Sequence, residues 1–159
     1  MEPLLLAYCA GVIDSDGTIG IKRQSYAMRV VKDSSQPTYS ERVCVKQVEP
    51  EAVDLLHSLF GGYRFTAKAS VRGGRPLFAW QVTDRKAAAC LAELLPYLRI
   101  KRAQAENCLA LRTVKEESKK ARVAFGRGHA GNAVRPAALS AAMERHHARA
   151  HELNRVGVR

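Results

Sequence analysis

Two aspartates near the start of the chain, Asp14 and Asp16, are the residues whose type and spacing most clearly suggest chemistry. They end an apolar run that extends from Leu4 to Ile13, and Gly17 follows them directly. Carboxylate oxygens suit a hard divalent cation such as Mg²⁺. The pattern therefore predicts a metal site at the end of a helix, with a plain Asp-Ser-Asp-Gly turn before a strand as the alternative.

The apolar run should form the helix that positions these carboxylates. Pro3 suits the first helical position because no backbone N–H is needed there. The spacing i, i+3, i+4, i+7 predicts that four residues share one helix face: Ala7, Ala10, Gly11 and Asp14. Small side chains would let two such helices pack closely, and face-to-face packing would bring the carboxylates of both toward one point.

The string from Cys9 to Gly17, Cys-Ala-Gly-Val-Ile-Asp-Ser-Asp-Gly, resembles the LAGLIDADG motif of the homing endonucleases. It departs from the motif at Cys9, Val12 and Ser15. Three further stretches agree with the same family, and one of them, residues 153–157, is similar to a C-terminal helix end of its single-motif members. Residues 43–47, followed by an apolar helix that ends at 60–62, are similar to its second strand and the helix after it, and residues 94–105 are similar to the segment with its active-site lysine. The resemblance covers most of the chain in the family's order.

The resemblance implies an α+β domain of the order αββαββα. Its four-stranded antiparallel sheet forms a saddle with helices on one face, and further helices follow at the C-terminus. Members with one motif are homodimers whose motif helices form the two-fold interface and whose sheets lie over the DNA major groove. For this chain we therefore expect a pseudo-palindromic target and a homodimer interface at Ala7, Ala10, Gly11 and Asp14.

The resemblance also implies the reaction, which is hydrolysis of phosphodiester bonds assisted by Mg²⁺ or Mn²⁺. Asp16 stands at the position of the family's metal-binding acid, and the backbone carbonyl of Ser15 would add a ligand. Gln47 would position water, and Lys101 would stabilise charge in the transition state. Glu51 departs from the pattern, because family members often carry a basic residue there.

The rest of the chain supplies the elements that would position these residues. Alternating residues predict strands over 18–31, 39–47, 63–71 and 77–82, with turns at 32–37 and 72–76. Apolar stripes predict helices after Pro50 and Thr83, over about 99–123, and after Pro136. We expect residues 1–123 to form the core domain, and residues 124–159 to form a basic loop and a helix packed on it.

Alternation along the paired strands predicts that one sheet face is basic and rich in hydrogen-bonding groups. In the major groove, Arg and Lys read guanine and Gln reads adenine. The candidate DNA-binding residues are Lys22, Gln24, Tyr26, Ser40, Arg42, Lys46, Arg64, Lys68, Arg72 and Arg75. Of these, Arg75 at the hairpin tip would reach flanking phosphates.

The charge balance supports a polyanionic partner. The chain of 159 residues has 26 Lys and Arg against 15 Asp and Glu, a net charge of +11, which points to nucleic acid. Its four cysteines form no C-x-x-C pair, so neither a zinc site nor a disulfide framework is predicted. No membrane partner is expected, since the run from Leu4 to Ile13 is too short to span a bilayer. We expect an intracellular protein, of the cytoplasm or an organelle.

Two other functions stay open on the same fold. An intron-encoded maturase would bind intron RNA, and a regulator would bind DNA without cleaving it. The nuclease is favoured because Asp14, Asp16, Gln47 and Lys101 are all present, and a protein that only binds DNA needs no metal site.

Overall fold

The structure, a computed structural model, describes residues 2–24, 36–69, 71–121, 123–124 and 133–155. The elements in chain order are α1 (Pro3–Asp16), β1 (Gly17–Gln24), β2 (Thr38–Gln47), α2 (Glu51–Phe60), β3 (Tyr63–Ala67), β4 (Leu77–Thr83), α3 (Asp84–Leu94), α4 (Arg102–Lys120), the two-residue strands β5 (Val123–Ala124) and β6 (Ala133–Val134), and α5 (Ala137–Arg155). The predicted α+β class and αββαββα order are confirmed, and α4 and α5 are the additional C-terminal helices.

The first four strands form one antiparallel sheet with the order β1-β2-β4-β3. Each hairpin pairs its own strands, and β2 pairs with β4 at the centre, from Arg42 opposite Thr83 to Gln47 opposite Phe78. The strand predicted over 63–71 is shorter in the structure, where β3 ends at Ala67. The prediction for residues 25–31 lies outside the described residues.

One face of the sheet carries the core. Ile19, Val43, Val45 and Trp80 are fully buried there, on the side where the sheet contacts α1, α2, α3 and α4. Burial of a large apolar side chain stabilises a fold by about 1.5–3 kcal/mol, so this layer determines which face of each strand points inward. The indole of Trp80 also donates from Nε1 to the carbonyl of Gly61 at 2.6 Å.

A charged cluster joins the sheet to α3 and α4. The carboxylate of Glu41 on β2 is fully buried, and its Oε2 accepts from Arg112 at 2.6 Å and from Lys115 at 2.9 Å. Both cations also bind Asp84, the first residue of α3. Burial alone would raise the pKa of Asp84, but hydrogen bonds from Lys115 and Arg112 lower it to about 2. The two cations compensate the buried charge through Oε2, although Oε1 is buried without a hydrogen-bond partner, so loss of either cation would weaken that compensation.

Helix α5 packs on α4 and on strand β1. Asn107 donates to the carbonyl of His146 at 2.8 Å, and Asn154 donates to the carbonyl of Ile19 at 3.1 Å. The division into residues 1–123 and 124–159 stays a prediction, and residues 125–132 of the basic loop lie outside the described part. No helix in the described part combines the length and apolar content that crossing a membrane requires.

Candidate active site and nucleic-acid interface

Asp14 lies in the last turn of α1 and braces this helix against the segment that begins α4. Its carboxylate accepts from the backbone N–H groups of Arg99, Ile100 and Lys101 at 2.7, 3.1 and 2.9 Å. Burial alone would raise the pKa of Asp14, but these hydrogen bonds and the charge of Lys101 hold that pKa below its ordinary value. A carboxylate suits a helix N-terminus because the unpaired N–H groups carry partial positive charge.

Lys101 closes the same junction from the opposite direction. Its ammonium donates to the backbone carbonyls of Ile13 at 2.9 Å, of Asp14, and of Ser15 at 3.3 Å. These carbonyls lie at the C-terminal end of α1, where helical partners run out and where a cation is favourable. Burial lowers the pKa of Lys101, against the opposing charges of Asp14 and Asp16. The ammonium is therefore engaged with the helix end that carries Asp16.

Asp16 and Gln47 lie together on the exposed rim of this junction. Asp16 ends α1, Gln47 ends β2, and Gln47 donates from Nε2 to Asp16 Oδ2 at 2.8 Å. Gly17 lets the chain turn directly from α1 into β1, because a Cβ there would lie 2.6 Å from the carbonyl oxygen of Ile13. The strand pairing of Gly17 with Val45 then sets the end of α1 beside the end of β2.

The oxygen atoms on this rim are of the ligand type that Mg²⁺ prefers. Magnesium is usually held by one or two carboxylates together with waters and substrate phosphates, and Asp16 with the Ser15 carbonyl provides such oxygens. Among the described residues, no group of three or more His, Cys, Asp or Glu side chains could hold a metal ion. The ligands of a single chain therefore fit part of a magnesium site, and further oxygens must complete it.

The structure divides the four residues predicted to share the interface face of α1. All four lie on one side of the helix, but Ala10 and Asp14 are buried within the chain, whereas Ala7 and Gly11 are exposed, and an interface at these residues stays a prediction. The helical rotation of 100° per residue separates the two pairs across the edge of the buried side. The exposed side instead continues with apolar residues, since Leu4 and Tyr8 are 77% and 54% exposed.

The face of the sheet opposite the core gathers five of the candidate DNA-binding residues. Their positions alternate with the inward-facing Ile19, Ile21, Val43 and Val45. Pairing of β1 with β2 sets Lys22 opposite Ser40. The five residues on this outer face are Lys22, Gln24, Ser40, Arg42 and Lys46. Tyr26 lies outside the described residues.

The prediction that Arg64 shares this outer face is wrong. Arg64 pairs with the buried Trp80, so it lies on the helix side of the sheet. There its guanidinium binds Asp54 of α2 and stacks 5.3 Å from the ring centre of Phe78. A shift of one residue along a strand exchanges its faces, and β3 has the opposite alternation from the one predicted.

Sequence reasoning missed the residues that β3 does place on the outer face. Tyr63 pairs with Gln81, and Phe65 pairs with Ala79, which itself pairs with Lys46. Both aromatic side chains are open to solvent, at 69% and 40% exposure. The buried Trp80 was the available signal, because an inward tryptophan on β4 and the pairing of the hairpin together determine the alternation of β3.

The remaining basic candidates lie in or beside the turn between β3 and β4. Lys68 follows the end of β3, and Arg72 and Arg75 lie in the turn itself. Arg75 forms an exposed ion pair with Glu49 at 3.1 Å. Glu51 is the first residue of α2, where a carboxylate favours the helix start.

Comparison with solved structures supports the architecture. The chain is similar to the homing endonuclease I-CvuI in complex with its target in the presence of Ca, at 25% identity and a TM-score of 0.54, over 73% of this chain and 70% of that one. It is also similar to the archaeal intron-encoded homing endonuclease I-Vdi141I complexed with DNA, at 13% identity and a TM-score of 0.54, over 92% of this chain and 98% of that one.

A third similar structure is I-CvuI with the I-CreI target in the presence of Mg, in which the DNA is not cleaved. It has 24% identity and a TM-score of 0.56, over 73% of this chain and 70% of that one. No protein-family model matches the chain, and no curated protein matches it. The strand order and these similarities agree: the chain has the LAGLIDADG homing-endonuclease fold, and the sequence at the end of its first helix resembles the motif for which that fold is named.

Proposed function

We propose that this protein is a site-specific DNA endonuclease that cuts both strands of a long pseudo-palindromic duplex in a Mg²⁺-dependent reaction. One observation carries the proposal: the exposed carboxylate of Asp16, bound to Gln47, stands at the end of a sheet whose outer face is basic. Similar structures were determined with DNA targets and with Mg or Ca, which supports the same chemistry here.

The proposed enzyme is a homodimer formed through the exposed side of α1. Leu4, Ala7, Tyr8 and Gly11 form an uncovered strip of apolar and small residues. A Cβ on Gly11 would meet nothing within 4 Å inside a single chain, so space within the chain does not account for the glycine. Close approach of a second helix does account for it, and a two-fold axis there would bring two copies of Asp16 together.

Each side chain of the junction has a separate part in the proposed reaction. Asp16 and the Ser15 carbonyl would hold the metal, with DNA phosphates and the partner's carboxylate completing the ligands. A bound Mg²⁺ polarises the scissile phosphate and lowers the pKa of an attacking water. Gln47 orients the Asp16 carboxylate and offers its amide to that water, whereas Lys101 stabilises the helix end and adds positive charge beside the phosphate.

Recognition of the target is assigned to the outer face of the sheet. Lys22, Gln24, Arg42 and Lys46 present donors to base edges in the major groove. Lys68, Arg72 and Arg75 lie near the turn, where contacts to phosphates would position the duplex without reading its sequence. Arg64 is excluded from this set, because it binds Asp54 on the other face.

A cleavage assay tests the proposal. Purified protein is incubated with a randomised duplex library in Mg²⁺ or in EDTA, and the cut ends are sequenced. We expect metal-dependent cuts at one pseudo-palindromic site, lost in Asp16→Asn. Asp54→Asn is the matched control, since Asp54 is an exposed carboxylate on the opposite face, and it should cut as the wild type does.

The other outcomes of this assay contradict the nuclease in distinct ways. Specific retention of duplex DNA without cuts in Mg²⁺ would identify a regulator that binds and does not cleave. Preference for intron RNA over every duplex would identify a maturase.

A further inference from the structure

The outer face of the sheet changes character from one edge to the other. The hairpin β1/β2 presents charged and amide side chains, with Lys22 and Lys46 exposed. Across β4, the edge strand β3 presents Tyr63 and Phe65 instead. One continuous surface therefore joins a basic half to an aromatic half, and both halves would meet the same partner.

The two aromatic residues belong to a paired strand of the sheet and not to a loop. Phe65, Ala79 and Lys46 form one row across three neighbouring strands, and Tyr63, Gln81 and Cys44 form the next. Strands lie about 4.8 Å apart, so Phe65 is roughly 10 Å from the backbone of Lys46. A major groove about 12 Å wide admits a ribbon of this size.

Exposed aromatic side chains on an edge strand are costly unless a partner covers them. Such an edge invites aggregation, and proteins usually place charge there. The neighbouring Arg64 could have provided this charge, but it points to the other face and pairs with Asp54. A partner that covers this whole face would therefore be polyanionic where it contacts β1 and β2, and it would present apolar groups where it contacts β3.

Duplex DNA is such a partner, because its phosphates are anionic and its major groove contains an apolar group. Among the base-edge groups of the major groove, the apolar one is the 5-methyl of thymine, whereas guanine, cytosine and adenine present donors and acceptors. An aromatic ring held over the groove gains from contact with this methyl group and leaves unpaired any base-edge donor that it covers.

We propose that Phe65 and Tyr63 read thymine through its 5-methyl group, so that each half-site is specified as A·T where it lies beneath β3. The inference rests on the proposed DNA-binding function and deepens it. The half-site then has two parts: one read by hydrogen bonds from β1 and β2, and one read by apolar contact from β3.

The test uses uracil, which pairs as thymine does but lacks the methyl group. A duplex is selected by binding from a randomised library without Mg²⁺. Each thymine of one half-site is then replaced singly by uracil, and the dissociation constant is measured. We expect uracil to weaken wild-type binding about fourfold at one or two adjacent positions, the worth of one buried methyl-sized group. Phe65→Ala should lose this discrimination at one of them.

Two further variants separate base reading from folding. Arg64→Ala changes the neighbouring residue on the opposite face and should keep the full uracil effect. Phe65→Leu keeps an apolar contact and should retain part of the effect, so a folding defect of Phe65→Ala can be recognised.

Three results would overturn the inference. The first is a selected half-site without thymine at adjacent positions. The second is uracil discrimination that persists in a folded Phe65→Ala, and the third is discrimination lost equally in Arg64→Ala. Failure of the proposed DNA-binding function is distinguishable from all three, because the wild type would then select no specific duplex at all.

Discussion

Asp14 and Asp16 are two residues apart on one helix, yet the fold gives them opposite environments. Asp14 is buried and accepts hydrogen bonds from three backbone N–H groups of the segment just before α4. Asp16 is exposed and is bound by the side-chain amide of Gln47. Asp14 therefore has little capacity left for a ligand, whereas Asp16 lies open to solvent.

Two acidic residues of one motif therefore need not act as a pair. A carboxylate saturated by backbone donors stabilises a junction, and its neighbour at the same helix end stays exposed. Lys101 serves the same arrangement, since its ammonium binds the carbonyls of Ile13 and Ser15 around both residues. Variants at Asp14 and Asp16 should therefore fail in different ways.

Asp16→Asn should have the largest effect on activity. Removal of a metal-binding charge costs several kcal/mol of transition-state stabilisation, so cleavage should fall by more than about 10³-fold. The urea-unfolding midpoint should change little, because Asp16 is exposed. A single-turnover cleavage assay beside an unfolding curve checks both expectations. Wild-type cleavage by this variant would remove Asp16 from the metal site.

Asp14→Asn should instead have the largest effect on stability. The asparagine side chain has no negative charge, whereas the Asp14 carboxylate accepts hydrogen bonds from the backbone N–H groups of Arg99 and Lys101. Hydrogen bonds to a charged group are worth about 1.5–3 kcal/mol. We expect the free energy of unfolding to fall by about that amount in urea titration. If the variant folded as stably as the wild type but bound no metal, Asp14 and Asp16 would act together and the contrast between them would be wrong.

Much of the fold could be predicted from sequence because its signals are local. The proline that begins α1, the Gly61-Gly62 end of α2 and the alternation in β2 each indicate one element. The inward position of Trp80 likewise follows from a local tendency, because a tryptophan on a hairpin usually packs in the core. These features depend on a few neighbouring residues, so they can be predicted without knowing which strands and helices contact each other.

What could not be predicted depends on pairing across the chain. The facing of Arg64 follows from its register with Trp80, and a single shift exchanges the faces of a strand. The contacts of Asp14 join residues 85 to 87 positions apart, which no local pattern reveals. Ala7 and Ala10 look equivalent in sequence, and only packing against the sheet separates the exposed one from the buried one.

Acid should weaken the junction around Asp14 and the charged cluster around Asp84. The pKa of Asp14 is lowered in the folded state, and that of Asp84 is lowered to about 2. A carboxyl whose folded pKa is below its unfolded value contributes stability above the unfolded pKa. That contribution is lost as the pH falls below about 4 and through the folded pKa. Unfolding curves between pH 5 and 2 should show this loss.

The matched variants Asp14→Asn and Asp84→Asn should each show a shallower decline of stability with acid, since each lacks one of the titrating groups. If stability declined with acid as steeply in both variants as in the wild type, the acid sensitivity would come from other carboxyl groups.

Arg64→Ala should have the smallest effect, and it sharpens the contrast between the two faces of β3. The pair with Asp54 is exposed at 38% and 49% of the two side chains, and such pairs contribute about 0.2–1 kcal/mol. Stability should therefore fall within that range, and the affinity for a selected duplex should keep both its value and its salt dependence. A phosphate contact would instead reduce the salt slope by about one unit. A change of that size would mean that Arg64 leaves Asp54 for the DNA, and that the face assigned by strand register is not the face used in binding.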